Sequence, residues 1–336
     1  MDIVFMDGGL GNQAFQYIFA RYLEIAKNTR VFIDDMYFSL HKDTIRKNIE
    51  GKPANSIDKS VHNGYEIEYV FPNASKTLLL SEYFGADVWE YMTSVAKESA
   101  LKDLSVPRQL IKKGMDLSLL FEAVDVTNLS GLTCPLLNTP GNLYNSAVAL
   151  LRENIYFYGY WLNPGWITRY KNIILKDLSF RPIEDELNKQ YESEIRRSFS
   201  IGVHIRRGDF VRFQWVLPES YYHSTLTQLS KILPNAKFFI FSDDLEWCKE
   251  NMKQLGILKK SAIFVEGNYD YKNNYIDVQL MAMCNVLVVG RSSFSYLASM
   301  LNQTPGFYAI QFRNPPIEDL AGGIKKVILH DRRVNN

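Results

Sequence analysis

No Asp-x-Asp triplet occurs anywhere in this chain, so the short acidic pair that would seat a divalent cation against a nucleotide diphosphate is missing. Positive side chains would have to meet any diphosphate instead. The five histidines (His41, His62, His204, His223 and His330) show no metal-ligand spacing, and no bound metal is expected. Three cysteines (Cys134, Cys248 and Cys284) form no close pair, which excludes a disulfide framework and a zinc knuckle and reads as free thiols in a reducing compartment. No run of about 18 apolar residues is present, so no integral membrane segment is expected. The chain opens on strand-like Ile3-Val4-Phe5 rather than on a basic and then apolar leader, and a cytoplasmic location is the expectation. A net charge of +1 gives no general attraction for polyanions, so nucleic acid is not an expected partner.

With 336 residues, 46% of them hydrophobic and 22% charged, the chain is long enough for two globular domains at roughly 150 residues each. The first 35 residues read as a βαβ unit: a strand over Ile3–Met6, a glycine turn, a helical pattern on Phe15, Phe19, Tyr22 and Leu23, and a second strand over Val31–Ile33. The pattern from about Leu40 to Asn154 is mixed. From about Ser200 strands recur at Ile201–Ile205, Phe238–Phe241, Ala262–Val265, Val286–Val289 and Phe307–Ile310, separated by helical lengths, which is the rhythm of a doubly wound sheet. Residues 1–180 and 181–336 are the expected domains, with the polar helical run Pro182 to Ser198 as connector.

Three loops carry candidate chemistry. The string His204-Ile205-Arg206-Arg207-Gly208-Asp209 lies where a parallel strand ends, the edge at which open α/β sheets bind ligands. Two adjacent guanidiniums there form a phosphate clamp or, equally, a strand-end ion pair with Asp209. Gly290-Arg291-Ser292-Ser293-Phe294-Ser295 follows a later strand and opens a helix, whose free N–H groups suit a diphosphate, although plain N-capping by Ser292 or Ser293 is the alternative. The third loop, Gly9-Leu10-Gly11 with Ala14, meets the dinucleotide fingerprint, with Asp34 and Asp35 about 20 residues on, and would make the protein an NAD-dependent enzyme.

Taken together these blocks resemble the family 11 glycosyltransferases, the bacterial α-1,2-fucosyltransferases. His204 to Asp209 matches His-x-Arg-Arg-Gly-Asp, Gly9 to Gln13 matches Gly-x-Gly-Asn-Gln, Phe241-Ser242-Asp243-Asp244 with Trp247 matches a further block, and Asp277 with Met281 and Cys284 running into Ser292-Ser293-Phe294-Ser295 resembles the last. The resemblance implies an α/β fold of GT-B type, two Rossmann-like domains facing across a cleft, with acceptor on the first and GDP-fucose on the second. It implies inverting transfer to the 2-hydroxyl of a terminal galactose, on an oligosaccharide or lipid-linked glycan, with no metal and no cofactor. Another fucosyl linkage is the alternative, and loose association with the inner membrane face fits a lipid-linked acceptor.

By position, Arg206 holds the β-phosphate, His204 and Asp209 join it as catalytic candidates, and either of the latter two is a candidate base. Arg207, Gly11, Asn12, Asp243, Asp277, Ser292, Ser293 and Phe294 complete the implied substrate contacts. Arg291 stands where the family has Asn, and Tyr296-Leu297 where it has Trp-Trp. The aromatic run Tyr156 to Trp161, with Trp166, is a candidate sugar platform if it is not core.

Overall fold

The computed structural model describes residues 2–49, 62–98, 156–157, 159–162, 169–268, 272–312 and 327–330. Cys134, Tyr158 and Trp166 lie outside the described residues. The chain divides at Ser179 and Phe180 into two compact units.

In the first unit, four strands, β1 (Asp2–Phe5), β2 (Val31–Asp34), β3 (Leu78–Leu79) and β4 (Tyr156–Phe157), form a parallel sheet in the order β3-β2-β1-β4. Every residue of β1 and β2 is buried, as expected for parallel strands covered on both faces. Helix α1 (Leu10–Lys27) buries twelve residues, among them Phe15, Tyr17, Phe19 and Leu23. Phe19 stacks on Trp161 at 3.9 Å between ring centroids and meets the Phe157 edge at 5.2 Å. Phe157 and Trp161 are therefore core rather than sugar platform.

The helix starts at Leu10, so Gly11 and Asn12 sit in its first turn and not in the preceding loop. Glu66, distant in sequence, accepts the Leu10 N–H, while Gln13 donates to the Gly8 and Gly64 carbonyls and accepts the Glu66 N–H. The loop before it needs glycine at position 8, where φ is +73° and a Cβ would stand 2.5 Å from Asn12 Nδ2.

The second unit holds six parallel strands: β5 (Ser200–Ile205), β6 (Lys237–Ser242), β7 (Ala262–Phe264), β8 (Val286–Val288), β9 (Tyr308–Phe312) and β10 (Val327–His330). Their spatial order, β10-β9-β8-β5-β6-β7, is that of a Rossmann sheet. The middle strand β5 is buried at all six positions. Ile201, Val203 and Ile205 pack with Leu226, Ile240, Leu245 and Val288 on one face of the sheet. The order reverses between β5 and β8, which pair directly through Ile201 with Val286 and Val203 with Val288. Open α/β sheets hold their ligands in the crevice outside the carboxyl ends at such a reversal.

Candidate active site

Two turns flank that crevice. One is Arg206-Arg207, at the end of β5, followed by the short helix α8 (Gly208–Arg212); the intervening helices α2–α7 run from Met36–Ile49 to Glu186–Arg197. The other is Gly290-Arg291-Ser292, at the end of β8, followed by the helix Ser293–Leu301. Turns far apart in the sequence thus meet because β5 and β8 are paired at the switch point.

Both arginines are held by carboxylates. Arg206 Nη2 donates to Asp209 Oδ1 at 2.6 Å, and Arg206 Nη1 lies 2.8 Å from Asp243 Oδ2. The Arg207 N–H donates to Asp243 Oδ1 at 2.8 Å, and Arg207 Nε donates to Asp244 Oδ2 at 3.1 Å. The Arg207 guanidinium stacks over the Trp247 ring, 3.4 Å from its centroid, a cation–π contact that fixes its plane. Asp244 also caps the helix Leu245–Glu250 by accepting the Trp247 N–H.

Two guanidiniums against Asp209, Asp243 and Asp244 give the cluster a formal charge of −1. An anion therefore meets Arg206 through the N–H donors its carboxylates leave open, since a guanidinium carries five. The remaining positive potential at this edge comes from Arg291 and the helix start across the crevice. A cavity of about 250 Å³ lies on the β6 side of the same loop, lined by Arg206, Arg207, Leu217, Tyr222 and Trp247 among others. It gives room for a fragment of a nucleotide beside both arginines.

His204 is buried, and among the described residues its Nδ1 has no hydrogen-bond partner. Gly290 packs against it so closely that a Cβ there would stand 2.7 Å from that nitrogen and 2.8 Å from the His204 carbonyl oxygen. The Phe294 ring tilts against the imidazole at 5.9 Å. Burial first, and then the Arg206 charge, pull its pKa down to about 3. The ring packs between the two turns. Asp209, paired to Arg206, is the clamp's own counter-ion.

Ser292 caps the last helix, accepting the Phe294 N–H at 3.3 Å, and Ser293 and Phe294 open its first turn. Asp277 lies in an amide network: Asn268 donates to it at 2.8 Å and exchanges bonds with Asn188. Gly11 and Asn12 belong to the first unit. Asp34 is fully buried and accepts the Met36 N–H, and Asp35 accepts from the Ser81 N–H and hydroxyl. Neither acidic group is open to a ribose, which removes the anchor that the NAD reading needs. Among the described residues no three His, Cys, Asp or Glu side chains converge as a metal site. No described helix is long and apolar enough to cross a membrane. Sequence reasoning did not assign Asp244 or Trp247 a task; the adjacent Asp-Asp pair facing an adjacent Arg-Arg pair was the available signal.

A paired guanidinium clamp opposite a capped helix start, at the switch point of a Rossmann sheet, has the chemistry that suits a diphosphate. The chain belongs to glycosyl transferase family 11, whose profile matches residues 146–325, more than half of its length. An alpha-1,2-colitosyltransferase of Escherichia coli is 31% identical over 158 residues, 45% of this chain and 52% of that protein, so the chain matches about half the length of that relative. The O-antigen biosynthesis glycosyltransferase WbnK of Escherichia coli is 23% identical over 317 residues, covering 88% of this chain and 89% of that one. Galactoside alpha-(1,2)-fucosyltransferase 1 of Saimiri sciureus is 25% identical over 154 residues, 41% of each chain. Among solved structures, NodZ alpha-1,6-fucosyltransferase soaked with GDP-fucose is 15% identical with a TM-score of 0.44, over 89% of this chain and 91% of that one.

Proposed function

We propose that this protein transfers fucose from GDP-fucose to the 2-hydroxyl of a terminal galactose on a glycan acceptor, with inversion and without a metal. The observation that carries the reading is the aimed Arg206, held by Asp209 and Asp243 at the switch point of the second sheet. The galactoside 2-hydroxyl is taken from the activity of the Saimiri relative. In this reading the two units are the halves of a GT-B transferase, the first taking the acceptor and the second GDP-fucose, which places the domains at residues 1–180 and 181–336.

Breaking the bond between fucose C1 and the β-phosphate oxygen leaves the electron pair on GDP, and the acceptor oxygen forms the new bond at C1 from the opposite face. Charge grows on the β-phosphate as the sugar departs. Preorganised donors at that oxygen supply the largest catalytic contribution in such sites. Arg206 is the donor in our assignment, Arg207 fixes the loop against Trp247, and Ser292, Ser293 and Phe294 present the helix start to the diphosphate. Asp243 aims Arg206 and Asn12 comes from the acceptor side.

The test is incubation with GDP-fucose and a panel of galactosides in chelator, followed by mapping the glycosidic bond formed. An α-1,2 product supports the reading; NAD turnover with indifference to GDP contradicts it. A second reading, transfer of a colitosyl group, is favoured by the 31% identity to a colitosyltransferase. Competition between the two sugars, each offered as its guanosine diphosphate, decides between them.

A further inference from the structure

The turn that follows α8 gathers three aromatic rings beside Arg206. Gln214 adopts the left-handed conformation there, at φ +56°. Its N–H donates to the Val211 carbonyl at 3.2 Å, and the Trp215 N–H donates to the Phe210 carbonyl at 2.9 Å, the two bonds of a Schellman turn. Glycine would hold this position without steric cost, and glutamine does not. The turn folds Trp215 back onto Phe210, edge to face at 5.6 Å, and Phe213 lies against the same indole at 5.0 Å. The Arg206 guanidinium carbon in turn sits over the Phe210 ring, 5.4 Å from its centroid.

A ring that served only to close the turn would be covered by it. Instead Val211, Phe213 and Trp215 remain 48%, 46% and 41% exposed, an open apolar patch within one loop of the second unit. Among the described residues the Trp215 indole N–H has no hydrogen-bond partner. The chain runs on directly into Val216 and Leu217, which line the cavity beside Arg206 and Arg207. The patch is therefore continuous with the arginine clamp.

An exposed indole offers an apolar face and one N–H donor. A pyranose ring is its complement, with a face of C–H bonds and a rim of hydroxyls. Position selects which sugar: when Arg206 holds the β-phosphate, the group joined to that phosphate is the donor's own sugar. Fucose and colitose, the two donor sugars weighed above, both carry a methyl group on C5 where an ordinary hexose carries a hydroxymethyl.

We propose that Trp215, backed by Phe210 and Phe213, is the platform for the 6-deoxy sugar of the nucleotide-sugar donor, packing against its C–H face and its methyl group. The proposal rests on the donor reading of the second unit given above. It gives Trp215 a part in donor specificity that is separate from the hold of Arg206 on the diphosphate.

The test is calorimetric titration of the full chain with GDP and with GDP-fucose, for the native protein, Trp215→Ala and Trp215→Phe. Free GDP lacks the sugar, so the ratio of the two affinities isolates the platform from the diphosphate seat. Trp215→Ala is expected to weaken GDP-fucose by about tenfold, the size of one lost aromatic contact, while GDP stays within about twofold. Trp215→Phe is expected to recover most of that loss. GDP-L-galactose differs from GDP-fucose only by a hydroxyl on the methyl carbon. The native chain is expected to prefer GDP-fucose to it by about threefold or more, and Trp215→Ala to lose the preference. Phe213→Ala, the truncation of a second exposed ring, is expected to change the ratio in the same direction and replaces Trp215→Ala if that variant does not fold. Equal losses for GDP and GDP-fucose overturn the proposal, as does a rise confined to the acceptor KM, which would give the patch to the acceptor. A native chain that binds no GDP-fucose overturns the donor reading as well, whereas normal GDP-fucose binding by native chain and Trp215→Ala alike overturns the platform alone.

Discussion

At the scale of single residues, the central pair is Arg206 with Asp243. Arg206→Ala is expected to lower kcat by at least about a hundredfold, the loss seen when one preorganised donor is removed from a developing oxyanion. Arg206→Lys is expected to be nearly as poor, since a point charge cannot hold two carboxylates and a phosphate in one plane. Asp243→Asn separates aiming from charge. It removes one negative charge from a cluster of formal charge −1 and turns an NH2 toward Arg206 Nη1, so GDP affinity is expected to hold or improve while kcat falls by about tenfold or more. Steady-state kinetics with parallel GDP titrations read both. Gly290→Ala is expected to cost about 1–3 kcal/mol in a denaturant titration, because its Cβ would meet the His204 ring at 2.7 Å and backbone oxygen at 2.8 Å, and the backbone cannot give way cheaply. The arginine string was legible in the sequence because its residues are adjacent and chemically distinctive. The state of His204 was not, since burial and the contact with Gly290 arise only when β5 and β8 pair.

At the scale of elements, the helix start at Ser292 admits a sharp test. If it only caps, Ser292→Ala costs about 1 kcal/mol of stability and leaves GDP binding alone. If it seats the diphosphate, Ser292→Asp keeps a cap and suits the helix dipole, so stability is held while GDP affinity falls by about tenfold through repulsion between anions. We expect the second pattern, read by calorimetry beside thermal unfolding. Strands with continuous apolar runs, such as β5 and β6, were plain from sequence. The two-residue strands β3 and β4 were not, because so short a run carries no period and β4 sits inside an aromatic cluster. The helical stretch after Asp244 is two helices, Leu245–Glu250 and Met252–Leu255, parted at Asn251, whose side chain donates to the Trp247 carbonyl. The start of α1 was placed late because its first N–H groups are met by Glu66, which no local pattern reveals.

At the scale of the whole molecule, buried titratable groups set the pH dependence of stability. Glu66 is raised to about 7 by burial, above the ordinary 4.5, so the folded chain holds that proton more tightly than the unfolded one. Its contribution is full below pH 4.5 and is lost as pH rises through 7. His204 has the opposite sign: its folded value of about 3 lies below 6.5, so the unfolded chain takes the proton first and stability falls between pH 6.5 and 3. The two oppose each other from pH 6.5 to 4.5, and below 4.5 His204 acts without Glu66. Urea midpoints are expected to drop in that lower range, and His204→Asn is expected to flatten the drop while lowering stability overall. The two parallel sheets were legible from strand rhythm together with chain length, whereas the Gln16 bridge between Asp7 and Gly159 was not, because it forms only once β1 and β4 pair. The central claim is that side-chain cations at the second switch point hold the departing diphosphate. Its most direct test is a GDP titration in excess chelator with the native chain and Arg206→Ala. Binding by the native chain that weakens by at least about tenfold in the variant agrees with the account; binding that appears only when a divalent cation is restored, or that ignores Arg206, contradicts it.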